Sequence, residues 1–235
     1  MTPHRPCLAV AVLVWVAPLV ASAQAPAPAP KSYALESPAG LRLHNVAAEP
    51  GTLAGQKGLR ATLAPGADAD AEQLVVLEGP EFSSGVIEVE VAGEPGPGAA
   101  QGARGFVGVA FRVQPDMLTY DAFYLRPTNG RAEDQERRNH AVQYISHPAW
   151  TWDRMRKETP SRYEAYVDLQ PAAWTKVRIE VRGDRARLYV HGNQQPTLVV
   201  NDVKTGASAK GAVALWLGPG TIAHFRNLTI AAETR

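Results

Sequence analysis

Cysteine is almost absent from the sequence, since Cys7 is the only one among 235 residues. It precedes an apolar run at residues 8–20, and small residues at positions 21–23 follow that run. A basic start, an apolar run and a small-x-small sequence are typical of a secretory signal peptide, here residues 1–23. The mature chain would contain no thiol, which excludes disulfide bonds and leaves the core alone to stabilise the fold.

Long apolar segments are absent as well. The run at residues 8–20 has 13 residues, fewer than the about 20 that span a bilayer. Cleavage after Ala23 is therefore favoured over an uncleaved anchor, and no membrane insertion is expected after cleavage. Export without disulfide bonds predicts a protein of the bacterial periplasm or exterior.

The sequence also lacks an excess of charge of either sign. Among residues 1–23 only Arg5 is charged, so the mature chain has 23 basic and 23 acidic side chains. Nucleic acids and anionic membranes select basic surfaces, so neither is expected as a partner. A small or neutral ligand is expected instead.

Helical periodicity is missing, and strand-like alternation takes its place. Residues 24–32 alternate alanine with proline and predict an extended tether. Short alternating runs between Gly, Pro and Asn clusters predict one all-β domain at residues 33–235, a jelly-roll sandwich of two antiparallel sheets. At most one or two helical turns are expected, at residues 151–158. Strands are predicted at residues 41–46, 73–79, 85–93, 105–113, 119–127, 140–146, 174–183, 185–192, 197–202, 211–218 and 221–230.

Four short patterns in the second half of the chain carry a family resemblance. They are W-x-x-V-x-I-x-V at residues 174–181, V-x-G at 190–192, G-x-V-x-L at 211–215 and F-R-N-L-x-I at 225–230. Together they resemble the bacterial 3-keto-disaccharide hydrolase domain family of the concanavalin A-like lectin/glucanase superfamily. The resemblance implies a sandwich with a curved front sheet, sugar-related ligands and, in some members, cleavage of glycosides.

Several catalytic motifs are absent. The sequence has no E-x-D-x-x-E strand, no H-E-x-x-H and no G-x-S-x-G, which are the patterns of laminarinase-like glycosidases, zinc proteases and serine hydrolases. Asp121 and His140 are the remaining candidates for proton transfer. No cofactor is identified, although Asp121, Asp153 and Asp168 are candidate ligands for a structural calcium ion.

Residues 123–152 concentrate charged and aromatic side chains between predicted strands. Strand alternation places Tyr124 and Arg126 on one open face and predicts that Arg112 shares it. Aromatic rings stack on the apolar faces of sugars, and planar polar groups make paired hydrogen bonds to hydroxyls. These side chains predict a sugar-binding surface, and the alternative is a loop packed by its own side chains.

The strand predicted at residues 140–146 leaves two orientations open. Either Gln143 faces outward, or His140 and Tyr144 do. Trp216 fits a stacking platform and a core position equally well. The candidate ligand-binding residues are Arg112, Tyr124, Arg126, Gln143, Tyr144, Trp152 and Trp216.

Three hypotheses for function follow from these residues. The first is an enzyme, a hydrolase or lyase acting on glycosides or 3-keto-glycosides. The second is a carbohydrate-binding module without catalytic activity that uses the same surface. The third is a structural domain for interactions at the cell surface. The expected ligand in the first two is a carbohydrate or a sugar-derived small molecule.

Overall fold

The structure is a computed structural model that describes residue 1, residues 29–79 and residues 81–233. The predicted signal peptide, residues 1–23, lies outside these ranges apart from its first residue. Within the described ranges, no helix is long and apolar enough to cross a membrane.

Strands dominate the described part of the chain, with two short α-helices and one 3-10 turn among them. Helix α1 spans Gln135–Asn139 and helix α2 spans Trp152–Glu158, and the 3-10 turn spans Pro127–Asn129. The strands are β1 (Lys31–Tyr33), β2 (Leu41–His44), β3 (Val46–Leu53), β4 (Gln56–Leu63), β5 (Gln73–Leu77), β6 (Gly85–Pro95), β7 (Val107–Val113), β8 (Tyr120–Leu125), β9 (Val142–His147), β10 (Glu164–Ala165), β11 (Thr175–Arg182), β12 (Arg185–Val190), β13 (Leu198–Val200), β14 (Ala212–Leu217) and β15 (Thr221–Ala232).

The strands form two antiparallel sheets. The back sheet has the order β13-β12-β11-β6-β15-β4-β3, with β1 also paired to β15. The front sheet has the order β10-β9-β8-β7-β14-β5-β2. The two sheets pack against each other through one apolar cluster, which confirms the predicted all-β jelly-roll sandwich.

All eleven predicted strands are present, as is the helical turn at residues 151–158. Strands β1, β3, β4 and β10 were not predicted. The hairpin β3–β4 turns at Ala54 and Gly55, both at positive φ, as a tight two-residue hairpin requires. Lys31 and Ser32, assigned to the tether by sequence, pair with Ile230 and Thr229 in the back sheet.

The core between the sheets consists of the apolar side chains that occur at every second position of the strands. Val177, Ile179 and Val181 of β11 are buried, as their spacing predicts. They pack in the same cluster as Phe111 and Phe123 of the front sheet. Burial of such side chains stabilises the fold by about 25 cal/mol per Å² of apolar surface.

The outer face of the front sheet is apolar as well. An antiparallel sheet with one solvated face carries polar residues there. Here a second buried cluster occupies that face. It consists of Leu74, Val76, Ala110, Val113, Met117, Tyr120, Ala122, Tyr124, Ile145, Ala214 and Trp216. This cluster makes the outer face of the front sheet an apolar layer rather than a solvated polar surface.

Candidate functional site

One lateral row of side chains crosses the whole front sheet. Register partners in neighbouring strands share a face, so the pairing of β10 through β2 defines this row. The row consists of Glu164, Gln143, Tyr124, Gly108, Trp216, Leu74 and His44. This register decides between the two orientations that the sequence allowed for β9. Gln143 lies on the outer face of the sheet, and Tyr144 lies on the inner face.

Gly108 lets two aromatic rings meet at the centre of this row. It lies between Tyr124 and Trp216, whose ring centroids are 4.8 Å apart in a stacked arrangement. A Cβ atom on Gly108 would lie 2.7 Å from the Cβ of Tyr124. Any other residue would therefore push the strands or the rings apart.

Two cavities lie over this face. The first has a volume of about 350 Å³ and lies over Tyr124 and Arg126, beside His140. The second has about 250 Å³ and lies over Tyr120 and Trp216. Residues Phe106, Tyr124 and Trp152 line both cavities. The two cavities are thus adjacent compartments of one groove, of the size that binds small ligands.

Trp152 is the exposed aromatic residue of the groove. It is the first residue of α2 and is 48% exposed, whereas Trp216 is 8% exposed. The guanidinium carbon of Arg156, one turn further along α2, lies 4.9 Å from the Trp152 ring centre. Because Trp152 is half exposed and lines both cavities, its aromatic ring is accessible to a ligand in the groove.

Arg126 organises the polar part of the first cavity. Its Nη2 donates to the Tyr124 hydroxyl at 2.7 Å and to Gln143 Oε1 at 2.5 Å. Its Nη1 donates to Glu164 Oε1 and to the His140 carbonyl, both at 3.1 Å. The Arg126 side chain is 5% exposed, so this charge is held almost without water. The expected common face of Tyr124 and Arg126 is confirmed, and Gln143, whose orientation the sequence left open, lies on it.

Glu164 is the carboxylate of this site, and the sequence patterns did not indicate it. Its side chain is 3% exposed and accepts from Arg126 and from both Nε and Nη2 of Arg156. It reaches the outer face because β10 pairs with β9, placing Glu164 opposite Gln143. Strand β10 has only two residues, too few for alternation to be recognised.

His140 adjoins Glu164 at the wall of the first cavity. Its Nδ1 lies 2.9 Å from Glu164 Oε2, but neither ring nitrogen has an aligned hydrogen bond to a described residue. Glu136, 83% exposed, lies 3.9 Å from the Nε2 atom. His140 therefore lies against a carboxylate, with both ring nitrogens buried and without an aligned hydrogen bond to a described residue.

A second carboxylate and histidine pair lines the second cavity. His147 Nε2 lies 3.2 Å from Glu72 Oε1, and His147 Nδ1 lies 2.7 Å from the Leu118 carbonyl. Tyr120 donates to Glu72 and accepts from Trp216 Nε1 at 3.0 Å. Burial and the charge of Glu72 raise the pKa of Tyr120 well above its ordinary value, so Tyr120 stays a neutral donor.

A family model described as the 3-keto-alpha-glucoside-1,2-lyase-like domain matches residues 45–231. The chain belongs to this family. The matched segment includes every residue that lines the two cavities. It also confirms the resemblance carried by the short patterns in the second half of the chain. No curated protein matched the chain.

Several solved structures share the fold of this chain. The carbohydrate-binding module CBM66 from Bacillus subtilis has 14% identity and a TM-score of 0.51, covering 82% of this chain and 97% of the module. A protein of unknown function with a galectin-like fold, also from Bacillus subtilis, has 12% identity and a TM-score of 0.55, covering 89% and 99%. The Crh5 transglycosylase in complex with NAG has 14% identity and a TM-score of 0.50, covering 88% and 86%. These identities establish the fold alone.

Three candidate residues lie inside the sandwich of the lyase-like domain rather than in its groove. For Arg112, the predicted place on the open face is wrong: it is fully buried, and its guanidinium donates to the carbonyls of Ser83, Gly183 and Gly206. The pairing of β7 with β14 shifts register here and Arg112 has a φ of 59°, so alternation fails at a bulge.

Asp121 and Tyr144 share this internal position. The Tyr144 hydroxyl donates to Asp121 Oδ1 at 2.6 Å, and Thr205 donates to the other carboxylate oxygen. Burial raises the pKa of Asp121 despite these hydrogen bonds. Asp121 is fully buried and does not line either cavity, so proton transfer to a ligand in the groove is excluded for it, and Tyr144 is equally unavailable for binding.

The three candidate calcium ligands do not converge. Asp121 binds the internal hydroxyls, Asp153 accepts from Thr151 at 2.6 Å, and Asp168 accepts from Arg131 at 2.7 and 2.8 Å. Across the described ranges, no group of three or more His, Cys, Asp or Glu side chains is placed to hold a metal ion.

Proposed function

We propose that this exported protein binds a sugar in the groove of the front sheet and cleaves 3-keto-glycosides by elimination. The observation that carries the proposal is the position of His140, which lines the first cavity 2.9 Å from the Glu164 carboxylate and beside Tyr124 and Arg126. Membership of the 3-keto-alpha-glucoside-1,2-lyase-like family supports the same reaction class. The predicted signal peptide at residues 1–23 supports export.

The chemistry requires a base and a hydrogen-bond donor. A ketone at C3 acidifies the proton on C2, and a base removes that proton while a donor stabilises the enolate oxygen. The electron pair left on C2 then forms the C1=C2 double bond as the C1–O bond breaks. The leaving oxygen takes a proton, so the products are an unsaturated ketone and an alcohol.

The first cavity holds side chains suited to these roles. His140 is the base, because its ring nitrogens carry no aligned hydrogen bond and the adjacent Glu164 carboxylate stabilises the imidazolium that forms. Tyr124 is the donor for the enolate oxygen, and Arg126, whose Nη2 donates to the Tyr124 hydroxyl, makes that hydroxyl a stronger donor. Trp152 stacks on the sugar ring, and the second cavity receives the leaving group.

A second candidate function is sugar binding without cleavage. The observation that favours it is the saturation of Glu164 by Arg126 and Arg156. A carboxylate held by two guanidinium groups forms a rigid floor for binding. In this case, His140 would be a donor to a sugar hydroxyl.

Turnover of methyl 3-keto-α-glucoside separates the two candidates. We expect absorbance of an unsaturated ketone to appear with the wild type and to fall by about 100-fold or more in His140→Gln. His191→Gln, a histidine outside both cavities, is the matched control and should retain wild-type turnover. Deuterium at C2 should slow cleavage if the C2 proton is removed.

Calorimetry measures whether the same sugar binds, independently of cleavage. Heat of binding without product would support the binding module and overturn the lyase. Cleavage without an isotope effect at C2 would point to direct hydrolysis. Neither binding nor cleavage would show that the groove is not a site for these sugars.

A further inference from the structure

The first cavity is strongly cationic. Four arginines line it, Arg104, Arg126, Arg137 and Arg156, together with His140. The carboxylate of Glu164 serves Arg126 and Arg156. Since the chain as a whole is nearly neutral, this local excess of positive charge is specific to the site.

The guanidinium groups of two of these arginines have no carboxylate partner. Within residues 29–79 and 81–233, no Asp or Glu oxygen lies within 4 Å of a guanidinium nitrogen of Arg104 or Arg137. The Asp134 carboxylate accepts from the backbone N–H of Arg137, at 2.8 Å, and not from its side chain. Arg104 donates to the carbonyls of Gln101 at 2.7 Å and Ala103 at 3.0 Å, and Arg137 reaches only the Asn129 side chain, at 3.5 Å. Carbonyl and amide oxygens orient these guanidinium groups without neutralising them.

The positive charges that line this cavity lie close enough to repel one another. Partial burial, followed by repulsion from Arg137 and then Arg126, lowers the pKa of Arg104. Several arginines elsewhere in the domain are paired with a carboxylate, such as Arg131 with Asp168 at 2.7 Å. An anion in the cavity would relieve the repulsion that the protein itself leaves uncompensated.

We propose that the first cavity selects sugars that carry an oxyanion substituent, which Arg104 and Arg137 bind. This rests on the proposed function and names its substrate class: an acidic hexoside whose ring stacks on Trp152. A hexuronate carboxylate and a sulfate ester both present the oxygens that a guanidinium fork binds in pairs. His140, Arg126 and Tyr124 keep the roles already given. The oxyanion lies on the side of the cavity that Arg104 and Arg137 line.

Matched sugars test the proposal by calorimetry at low ionic strength. The probes are methyl glucoside, methyl glucuronide and glucose 6-sulfate. We expect the wild type to bind at least one acidic sugar about tenfold or more tightly than the neutral one, because hydrogen bonds to charged groups contribute about 1.5–3 kcal/mol. Preference for the glucuronide alone identifies a carboxylate site, and equal preference for the sulfate identifies a general oxyanion site.

Single variants locate the selectivity. Arg104→Gln should lower the acidic preference about tenfold, and Arg137→Gln, whose side chain is exposed, about threefold, since exposed ion pairs are weak. In both variants, the loss of affinity should be larger for the acidic sugars than for methyl glucoside. The control is Arg187→Gln on the exposed face of the back sheet, which should change neither affinity.

The outcomes separate this inference from the proposed function. Equal affinity for neutral and acidic sugars, or a preference that survives both variants, would overturn the oxyanion site while leaving turnover of neutral 3-keto-glycosides intact. Absence of binding and turnover for every sugar would overturn both.

Discussion

Replacing Glu164 with glutamine should destabilise the fold more than any exposed charge substitution. The carboxylate is almost fully buried and accepts from Arg126 at 3.1 Å and from Arg156 at 2.5 and 3.1 Å. Glutamine preserves the shape of the side chain but removes its charge. Its amide nitrogen would also direct N–H groups at a guanidinium, which has only donors.

The magnitude follows from the burial of Arg126, whose side chain is 5% exposed. Removing one partner of a buried ion pair leaves an uncompensated charge and costs about 3–5 kcal/mol. For a domain of this size, each kcal/mol lowers Tm by about 2–4 °C. We therefore expect Tm to fall by about 6–20 °C in Glu164→Gln.

Urea denaturation and calorimetric melting at pH 7 measure this loss. Glu49→Gln is the matched control, because Glu49 pairs with Arg60 at 2.9 Å but its side chain is 63% exposed. That variant should lose at most about 1 kcal/mol. If Glu164→Gln lost no more than the control, the conclusion that Arg126 and Glu164 are held away from water would be wrong.

Three further predictions concern other parts of the domain. Gly108→Ala should lower the free energy of unfolding by about 1–3 kcal/mol, because the new Cβ would lie 2.2 Å from the Phe123 carbonyl; wild-type stability in urea would show that the strands adapt. Trp152→Ala should weaken sugar binding about tenfold in calorimetry while changing Tm little, because the side chain is half exposed; unchanged affinity would remove Trp152 from the site. Burial raises the pKa of Glu90, but hydrogen bonds from its neighbours, Arg226 among them, outweigh burial and hold that pKa below the ordinary value of 4.5. The resulting stabilisation is present above that value and is lost as the pH falls through the lowered pKa. Arg226→Gln should therefore reduce the stability measured in urea more at pH 7 than at pH 3, and equal losses at both would contradict this sign.

Alternation of apolar residues predicted most of the sandwich. It located strands such as β11, where Val177, Ile179 and Val181 are all buried. It missed β3, whose sequence contains Pro50 and Gly51, because these residues are typical of turns. The cross-strand partner Gly58 lies directly opposite Gly51, and this pairing is a tertiary property that a local pattern does not reveal.

The site was predicted only where alternation is regular. Tyr124 lies in the groove as alternation predicts, and Gln143 shares its face of the sheet but is buried beneath Arg126, because β8 and β9 are paired without a register shift. Arg112 was assigned to the wrong face because a bulge interrupts β7. Glu164 was missed because its place depends on a two-residue pairing with β9, 21 positions from Gln143 in the chain. Alternation within a strand therefore predicts the position of Tyr124. The position of the Glu164 carboxylate depends on the pairing of β10 with β9, which no local pattern reveals.

The pairing of β1 with β15 determines where the chain ahead of residue 31 meets the domain. Lys31 lies opposite Ile230, so the segment that precedes residue 31 joins the molecule at the back sheet. Trp152 and both cavities belong to the other sheet. Any segment joined ahead of residue 31 therefore meets the domain at the sheet that does not carry the groove.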